Sequence, residues 1–343
     1  MIDRIYPAAL TTTGSAFPSE VRDNAFFSEE LGLATSDKWI EARTGIRHRR
    51  VARAENGETC ASLATSAART CLENRGMPAE ELDAIVMATI SSDLGFPATA
   101  CLVQARLGAT NACAMDISAA CTGFLYALTT AAALVESGRF RKVMVIGSEL
   151  MNAILDYTDR STCVLFGDGA GAALVERVDW NFPGRILDSM LGSDGGGAPL
   201  MYRTGGGALQ MEHSALGPFR RTEKATHDGP TVFRMAVARM TEISQEILER
   251  NGLDIADVDL FVPHQANLRI IDAVASKLEL PPEKIAVYMQ EYGNTTAATI
   301  PTSFSMAMGD GRVSPGDLVL LAAFGAGLTW GGTLIRWGGV PGE

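Results

Sequence analysis

The sequence predicts an α/β protein built from two copies of one strand–helix–strand unit. Three observations carry this. Residues 113–149 read as strand, helix and strand in that order. A second stretch repeats the first half's landmarks in one register. The chain, at 343 residues, is long enough for two cores.

Cys113–Ile117 is a short apolar run, expected to be a buried strand. A turn at Ser118-Ala119-Ala120 leads to Cys121 and then to Gly123-Phe124-Leu125-Tyr126-Ala127-Leu128, which opens a helix running to about Gly138. That helix shows almost no polar face before Glu136, so burial on all sides is expected. Lys142–Ile146 reads as the next strand. Such an order implies parallel strands joined by a crossover.

Further elements follow in order. A first strand covers 5–15. A helix begins at Thr35-Ser36-Asp37-Lys38-Trp39-Ile40, with Thr35 or Ser36 as its cap. The run Thr44–Arg50 is the most basic in the chain and is either a solvated turn or a phosphate contact. Residues 58–75 read as an amphipathic helix, Asp83–Ala88 as a strand and 98–107 as a helix, with a loop at Ser91–Pro97. The glycines of Phe166-Gly167-Asp168-Gly169-Ala170-Gly171 open no helix after a strand, so they point to a tight turn and close strand packing rather than to a nucleotide. Gly192–Gly207 reads as a loop or flap, and 213–229 as an insertion between halves.

The repeat is legible in detail. Glu73-Asn74-Arg75-Gly76 before Asp83-Ala84-Ile85-Val86 matches Glu249-Arg250-Asn251-Gly252 before Asp259-Leu260-Phe261-Val262. Without gaps, this register lays Cys121 over Ala297 and Val143–Ser148 over Val319–Phe324. Two such units back to back would bury both central helices between sheets. The division expected is 1–180 for the first half, 181–230 for variable connecting loops and 231–343 for the second half.

Composition narrows the function. A net charge of −11 argues against general binding to nucleic acid or anionic membranes. No run is apolar enough to span a bilayer, and the start Met1-Ile2-Asp3-Arg4 lacks signal-peptide features. Six cysteines without a C-x-x-C pair support neither a zinc site nor a redox motif, and suggest a reduced, cytoplasmic protein.

Cys121 stands where a helix begins. Unpaired N–H groups there should lower the thiol pKa and favour the nucleophilic thiolate; the alternative is a small buried hydrophobe. Asn294 lies beside the counterpart of that junction in the second half. His264, in Val262-Pro263-His264-Gln265-Ala266-Asn267, lies where another strand ends, and such ends gather active groups.

On these residues the chain resembles the β-ketoacyl-acyl carrier protein synthase III family of thiolase-fold condensing enzymes. The matching pieces occur in order: Ser36-Asp37-Lys38-Trp39-Ile40 with Arg43-Thr44-Gly45-Ile46-Arg47; Asp116-Ile117-Ser118-Ala119-Ala120-Cys121; Asp159-Arg160; Phe166–Gly171; Pro263-His264-Gln265-Ala266-Asn267-Leu268-Arg269; Gly293-Asn294-Thr295; and Phe324-Gly325-Ala326-Gly327.

The resemblance implies a five-layer αβαβα thiolase-like fold and a homodimer. It implies an acyl-CoA that acylates Cys121 and a malonyl-acyl carrier protein that condenses with it. Cys121, His264 and Asn294 would be catalytic, with the backbone N–H groups of Cys121 and Ala326 as oxyanion hole. Trp39, Arg43 and Arg160 would bind coenzyme A, and Arg234 and Arg269 would dock the carrier protein. Phe166 would line the acyl pocket, and Phe96 would close the partner's. No metal or tightly bound cofactor is implied; coenzyme A enters as substrate. Two positions depart from the family pattern: Pro230 stands for an Asn near the pantetheine arm, and Arg234 for a common Lys. Other readings are a relative from specialised metabolism that condenses an unusual starter or transfers acyl groups, and a non-catalytic acyl-CoA or carrier-protein binder.

Overall fold

In a computed structural model, which describes residues 5–207, 217, 219–220 and 222–342, the two halves form two sheets with helices between and outside them. The first half contains β1 (Ala8–Ala16), β2 (Glu20–Asp23), α1 (Asp37–Thr44), β3 (His48–Val51), α2 (Cys60–Arg75), β4 (Ala84–Ala88), α3 (Thr99–Leu107), β5 (Cys113–Ile117), α4 (Gly123–Glu136), β6 (Lys142–Leu150) and β7 (Asp168–Arg177). The second contains β8 (Arg185–Ser193), β9 (Met201–Tyr202), β10 (Thr226–His227), α5 (Gly229–Arg250), β11 (Leu260–Pro263), α6 (Leu268–Leu278), α7 (Met289–Tyr292), α8 (Thr299–Gly309), β12 (Leu318–Gly325) and β13 (Thr329–Arg336).

The first sheet has the order β1-β7-β6-β4-β5 and the second β8-β13-β12-β11. Strand β4 is parallel to both β5 and β6, as β11 is to β12, and the remaining pairs are antiparallel. A bridge from Phe261 to Ile285 stands where the second sheet would have its counterpart of β5.

The inner strands β4, β11 and β12 are buried along their whole length and β6 over most of it, so their runs are almost wholly apolar. In β6, Val143 and Val145 face the central layer while Met144 and Ile146 face α2 and α3. The central layer joins Phe124, Leu125 and Leu128 of α4 to Ile300 and Phe304 of α8, with strands of both sheets around them. The outer face of the second sheet packs against α5 and α6 through residues such as Val237, Ile243 and Val274. The layers therefore run αβαβα, as expected.

The repeat holds atom by atom. Gly76 and Gly252, which are 176 positions apart, both end a helical segment with positive φ, +63° and +67°. Asp83 accepts from the Lys142 N–H at 2.9 Å and Asp259 from the Leu318 N–H at 2.8 Å, each across 59 residues. The turns opening the central helices, Ala120–Thr122 and Thr296–Ala298, stand in the same register. Their first residues, Ala120 and Thr296, have φ of +46° and +48°.

The cap expected for α1 is present, and α2 has a cap that the sequence reading did not name. Ser36 caps α1 by accepting from the Trp39 N–H at 3.2 Å. Thr59 caps α2, with Ser62 completing a reciprocal pair.

Three expectations fail for tertiary reasons. Strand β5 is not buried: it is the sheet's edge, and Cys113 is exposed. Gly192 belongs to β8 rather than to a flap, because it pairs with Trp330 and lets that indole lie flat against the backbone. The basic run is not a solvated turn: its second part forms β3. Arg49 is buried, donates to Asn24 Oδ1 and Val164 O at 2.7 Å each, and lies 4.7 Å from the Phe27 ring centroid. Burial pulls its pKa down to about 10. Arg47 and His48 pair with Glu291. Part of the predicted insertion (213–216, 218 and 221, which includes His213 and Arg221) lies outside the described residues.

Gly167 and Gly171 do mark close packing, but against the other half: a Cβ would lie 2.2 Å from Tyr292 O and 2.7 Å from Thr302 N, respectively. At Gly147 a Cβ would meet the Ala297 carbonyl oxygen at 2.3 Å. Gly147→Ala should therefore destabilise the protein by roughly 1–3 kcal/mol, the usual cost of overpacking. Gly309→Ala, with open space at that position, should change stability by less than about 0.5 kcal/mol. Urea unfolding of both variants checks this, and equal stability would remove the close approach as a constraint.

Candidate active site

One cavity of about 1490 Å³ receives residues from both halves. Cys121, His264, Asn294 and Ala326 line it, as do Phe166, Trp39, Arg43, Arg160, Arg234 and Arg269. Phe96 does not. It is 90% exposed on the loop before α3.

Cys121 is delivered by the turn between β5 and α4. It is 9% exposed and faces the loop after β12. A Cβ at Gly325 would lie 2.9 Å from the Cys121 backbone nitrogen, so only glycine leaves that N–H room. Thr329 ties the two segments together: its Oγ1 lies 3.0 Å from Ala326 O and 3.3 Å from Ala119 O.

The expected drop in the Cys121 pKa is not seen. Burial, with the nearby Glu149 carboxyl adding to it, pushes the thiol up to about 12. The short turn before α4 keeps the sulfur away from water, and desolvation outweighs the field of the helix start. Glu149 is itself fully buried. It accepts from the Ile90 N–H and from the hydroxyls of Ser91 and Thr89, and desolvation raises its pKa to about 7.

His264 ends β11. It is 2% exposed, and burial lowers its pKa to about 3, so the imidazole is neutral. Its Nδ1 lies 2.6 Å from Thr299 Oγ1. Asn294 is held through its own backbone, with its N–H on Leu165 O at 2.9 Å. Its Oδ1 accepts from the Thr296 N–H at 2.8 Å. With that oxygen engaged, the side-chain amide has its N–H donors left to offer. Neutral donors facing a nucleophile in a low-dielectric pocket can stabilise negative charge that develops on an acyl or enolate oxygen.

The cavity's outer part is basic. Around Trp39, Arg43 lies 4.9 Å and Arg160 5.0 Å from the ring centroid. A planar base between Trp39 and Arg160 would need about 7 Å, two van der Waals contacts, so the guanidinium must shift by about 2 Å to admit it. Arg234 bonds Thr231 Oγ1 at 3.1 Å in the first turn of α5. Arg269, at the start of α6, lies 5.6 Å from the Phe233 ring centroid. On the apolar side, Phe166 packs against the cluster of Met151, Ile154 and Leu155.

Sequence reasoning missed Glu149, Thr299 and Gly325. Thr299 and Gly325 could have been noticed through the repeat, since they fall in register with Gly123 and Glu149. Nothing local marks Glu149 itself, which reads as the polar end of a strand.

A buried cysteine just before a central helix, sharing one cavity with a neutral His and an Asn from the other half of an αβαβα fold, marks a thiolase-fold condensing enzyme. Comparison with known proteins agrees. Residues 115–195 match the family described as 3-oxoacyl-[acyl-carrier-protein (ACP)] synthase III, and residues 248–337 match its C-terminal part. The chain is 44% identical over 331 residues to the β-ketoacyl-[acyl-carrier-protein] synthase III of Koribacter versatilis, covering 96% of this chain and 98% of that protein. The solved structure of the Thermus thermophilus synthase III superimposes with a TM-score of 0.89 at 42% identity, covering 96% and 99%. The priming β-ketosynthase of the R1128 polyketide pathway superimposes with a TM-score of 0.88 at 34% identity, covering 99% of each chain. The chain belongs to the 3-oxoacyl-[acyl-carrier-protein] synthase III family.

Cys101 and Cys113 are exposed, whereas Cys121 is reached only through the cavity. In a Cys101→Ser/Cys113→Ser variant, alkylation of Cys121 should rise about tenfold per pH unit from pH 7 to 9 without a plateau, as a thiol with a pKa of about 12 requires. Mass-mapped iodoacetamide kinetics check this; a plateau below pH 8 would mean that the helix start dominates after all.

Proposed function

We propose that the protein condenses an acyl-CoA with malonyl-acyl carrier protein, giving 3-oxoacyl-acyl carrier protein, CoA and carbon dioxide. The observation that carries this is the meeting of Cys121, His264 and Asn294 in one cavity that is also lined by Trp39 and five arginines, Arg203 among them.

Cys121 attacks the acyl-CoA thioester carbon. Charge on the tetrahedral oxygen is met by the N–H groups of Cys121 and Ala326. The thiol enters protonated, and its proton leaves with the CoA sulfur as the C–S bond breaks. Malonyl-carrier protein then enters. Its carboxylate C–C bond breaks, the electron pair forms an enolate, and His264 and Asn294 donate to the enolate oxygen. The carbanion attacks acyl-Cys121, forms the new C–C bond and expels the Cys121 thiolate, which takes up one proton from solvent to restore the resting thiol. A His with a pKa of about 3 serves as donor rather than base.

Trp39, Arg43 and Arg160 hold the nucleotide of CoA, through stacking and phosphate contacts. Arg234 and Arg269 meet the acidic carrier protein, which the overall negative charge would otherwise repel. No tightly bound cofactor takes part.

The protein works as a homodimer. The edge strand β5 lacks a second partner among the described residues, with Met115 at 36% exposure beside Leu94 and Phe96 on the neighbouring loop. Such an apolar edge is normally covered. Phe96, absent from its own cavity, then closes the partner's acyl pocket. A cytoplasmic setting accords with six free cysteines. Among the described residues no helix is long and apolar enough to cross a membrane. A second reading, priming of a specialised polyketide-type pathway, is favoured by the likeness to the R1128 enzyme. It uses the same two half-reactions on another starter.

Separating the half-reactions tests the proposal. Cys121→Ala should abolish the acyl-enzyme seen by intact mass. His264→Ala and Asn294→Ala should still acylate but lose about 10²–10³ in malonyl decarboxylation. Equal loss of both activities in either variant would refute this division.

Docking and assembly are tested separately. Arg269→Glu should raise the KM for malonyl-carrier protein far more than it slows self-acylation, with moderate salt reducing the difference. Met115→Glu should yield a monomer by light scattering; an unchanged dimer would move the interface away from β5.

A further inference from the structure

A neutral imidazole carries one N–H, so its two ring nitrogens do opposite things. If the proton is on Nε2, His264 presents a donor to the cavity. If it is on Nδ1, the ring presents a lone pair there, which would repel an enolate oxygen. Something must therefore choose between the two forms.

The choice falls to the group on Nδ1. Thr299 Oγ1 lies 2.6 Å from it, and Thr299 is 1% exposed, so no bulk water competes. The hydroxyl has one proton and two acceptors in reach: Nδ1, and Thr296 O at 2.9 Å. That carbonyl already accepts the Thr299 backbone N–H, which closes the turn before α8. No other described group is bonded to Nδ1. The contact to Nδ1 is also the shorter. In the other arrangement Nδ1–H donates to Oγ1 and the hydroxyl donates to Thr296 O, which puts a second donor on a carbonyl the turn already uses; with the hydroxyl proton on Nδ1, that carbonyl and Nδ1 each accept one bond.

The internal repeat supplies an independent comparison. His264 is in register with Ala88, and Thr299 with Gly123. In the first half those two positions also touch: a Cβ on Gly123 would lie 2.9 Å from the Ala88 Cβ. One contact between the end of a strand and the first residue of a central helix is thus kept in both halves. It is small against small where the nucleophile is, and imidazole against hydroxyl where the donor is. A threonine that served only to start α8 would need no histidine opposite it.

We propose that Thr299 is a positioning residue that donates its hydroxyl proton to His264 Nδ1 and thereby keeps the His264 Nε2–H facing the cavity. The role rests on the reading of His264 as donor to the malonyl thioester oxygen. Thr299 touches neither substrate. It acts through His264 alone, so decarboxylation depends on it and acylation of Cys121 does not.

The test combines a spectroscopic and a kinetic readout on the full-length protein. Long-range ¹⁵N–¹H correlation at neutral pH, with the His264 signals assigned by their loss in His264→Gln, should show wild-type His264 protonated on Nε2. In Thr299→Val, which keeps the shape and removes the hydroxyl, the Nδ1–H form should appear. Decarboxylation of malonyl-carrier protein should fall about tenfold or more, the scale of one lost buried hydrogen bond, while Cys121 acylation stays within about twofold. Thr299→Ser should restore both the tautomer and the rate. Wild-type His264 protonated on Nδ1 would overturn the proposal. So would a folded Thr299→Val that decarboxylates at the wild-type rate, or a Thr299→Ser that behaves like the valine variant. If Thr299→Val does not fold, the wild-type spectrum and the serine variant still decide the matter. If wild type decarboxylates no malonyl substrate, the condensing reading fails on its own, and the spectrum alone then judges the role of Thr299.

Discussion

The structure depends on the close contact of two turns, one from each half, at the start of the central helices. Residues 120–122 and 296–298 meet between the sheets, and the strands that cross them must come within backbone contact. Gly147 lies against the Ala297 carbonyl, and Gly325 against the Cys121 nitrogen. A side chain at either position would force the halves apart. Because the chain meets this demand with glycine at the contact, the cavity can be shared: Cys121 comes from the first half, and His264 and Asn294 from the second.

That contact explains why the site is dry. Cys121, His264 and Asn294 are each 9% exposed or less, and burial governs their chemistry more than any partner charge does. It raises the thiol to about 12 and lowers the imidazole to about 3, so the resting site holds no formal charge from either group. Charge arises there only during reaction, when donors fixed in advance are worth most. Outside this interior the polarity reverses, and Arg43, Arg160, Arg234 and Arg269 line the same cavity in a protein of net charge −11.

Duplication lets one scaffold hold different chemistry at equivalent places. Cys121 answers to Ala297, His264 to Ala88, and Glu149 to Gly325. The backbone geometry is retained in each pair, down to the positive φ of Ala120 and Thr296, while only one member of each pair carries the reactive group. The buried Glu149 shows the reverse case. Its carboxyl packs where the second half has bare glycine, and it binds the Thr89–Ser91 loop that helps line the cavity.

The sequence by itself determined the two-unit α/β plan and the cap of α1, and it singled out Cys121, His264 and Asn294, which the fold brings to one cavity. Those features are written in local terms: apolar runs of strand length, capping hydroxyls, and a repeat kept in register by Gly76 and Gly252 and by Asp83 and Asp259. Tertiary structure decided the rest, because it depends on what surrounds a residue. Strand β5 reads as apolar whether it is central or at an edge, and only the sheet order leaves Cys113 exposed. Arg49 reads as one of three neighbouring arginines until Asn24, Val164 and Phe27 enclose it. The thiol of Cys121 was expected to be acidic from its place at a helix start, yet desolvation, a property of the whole cavity wall, sets it the other way.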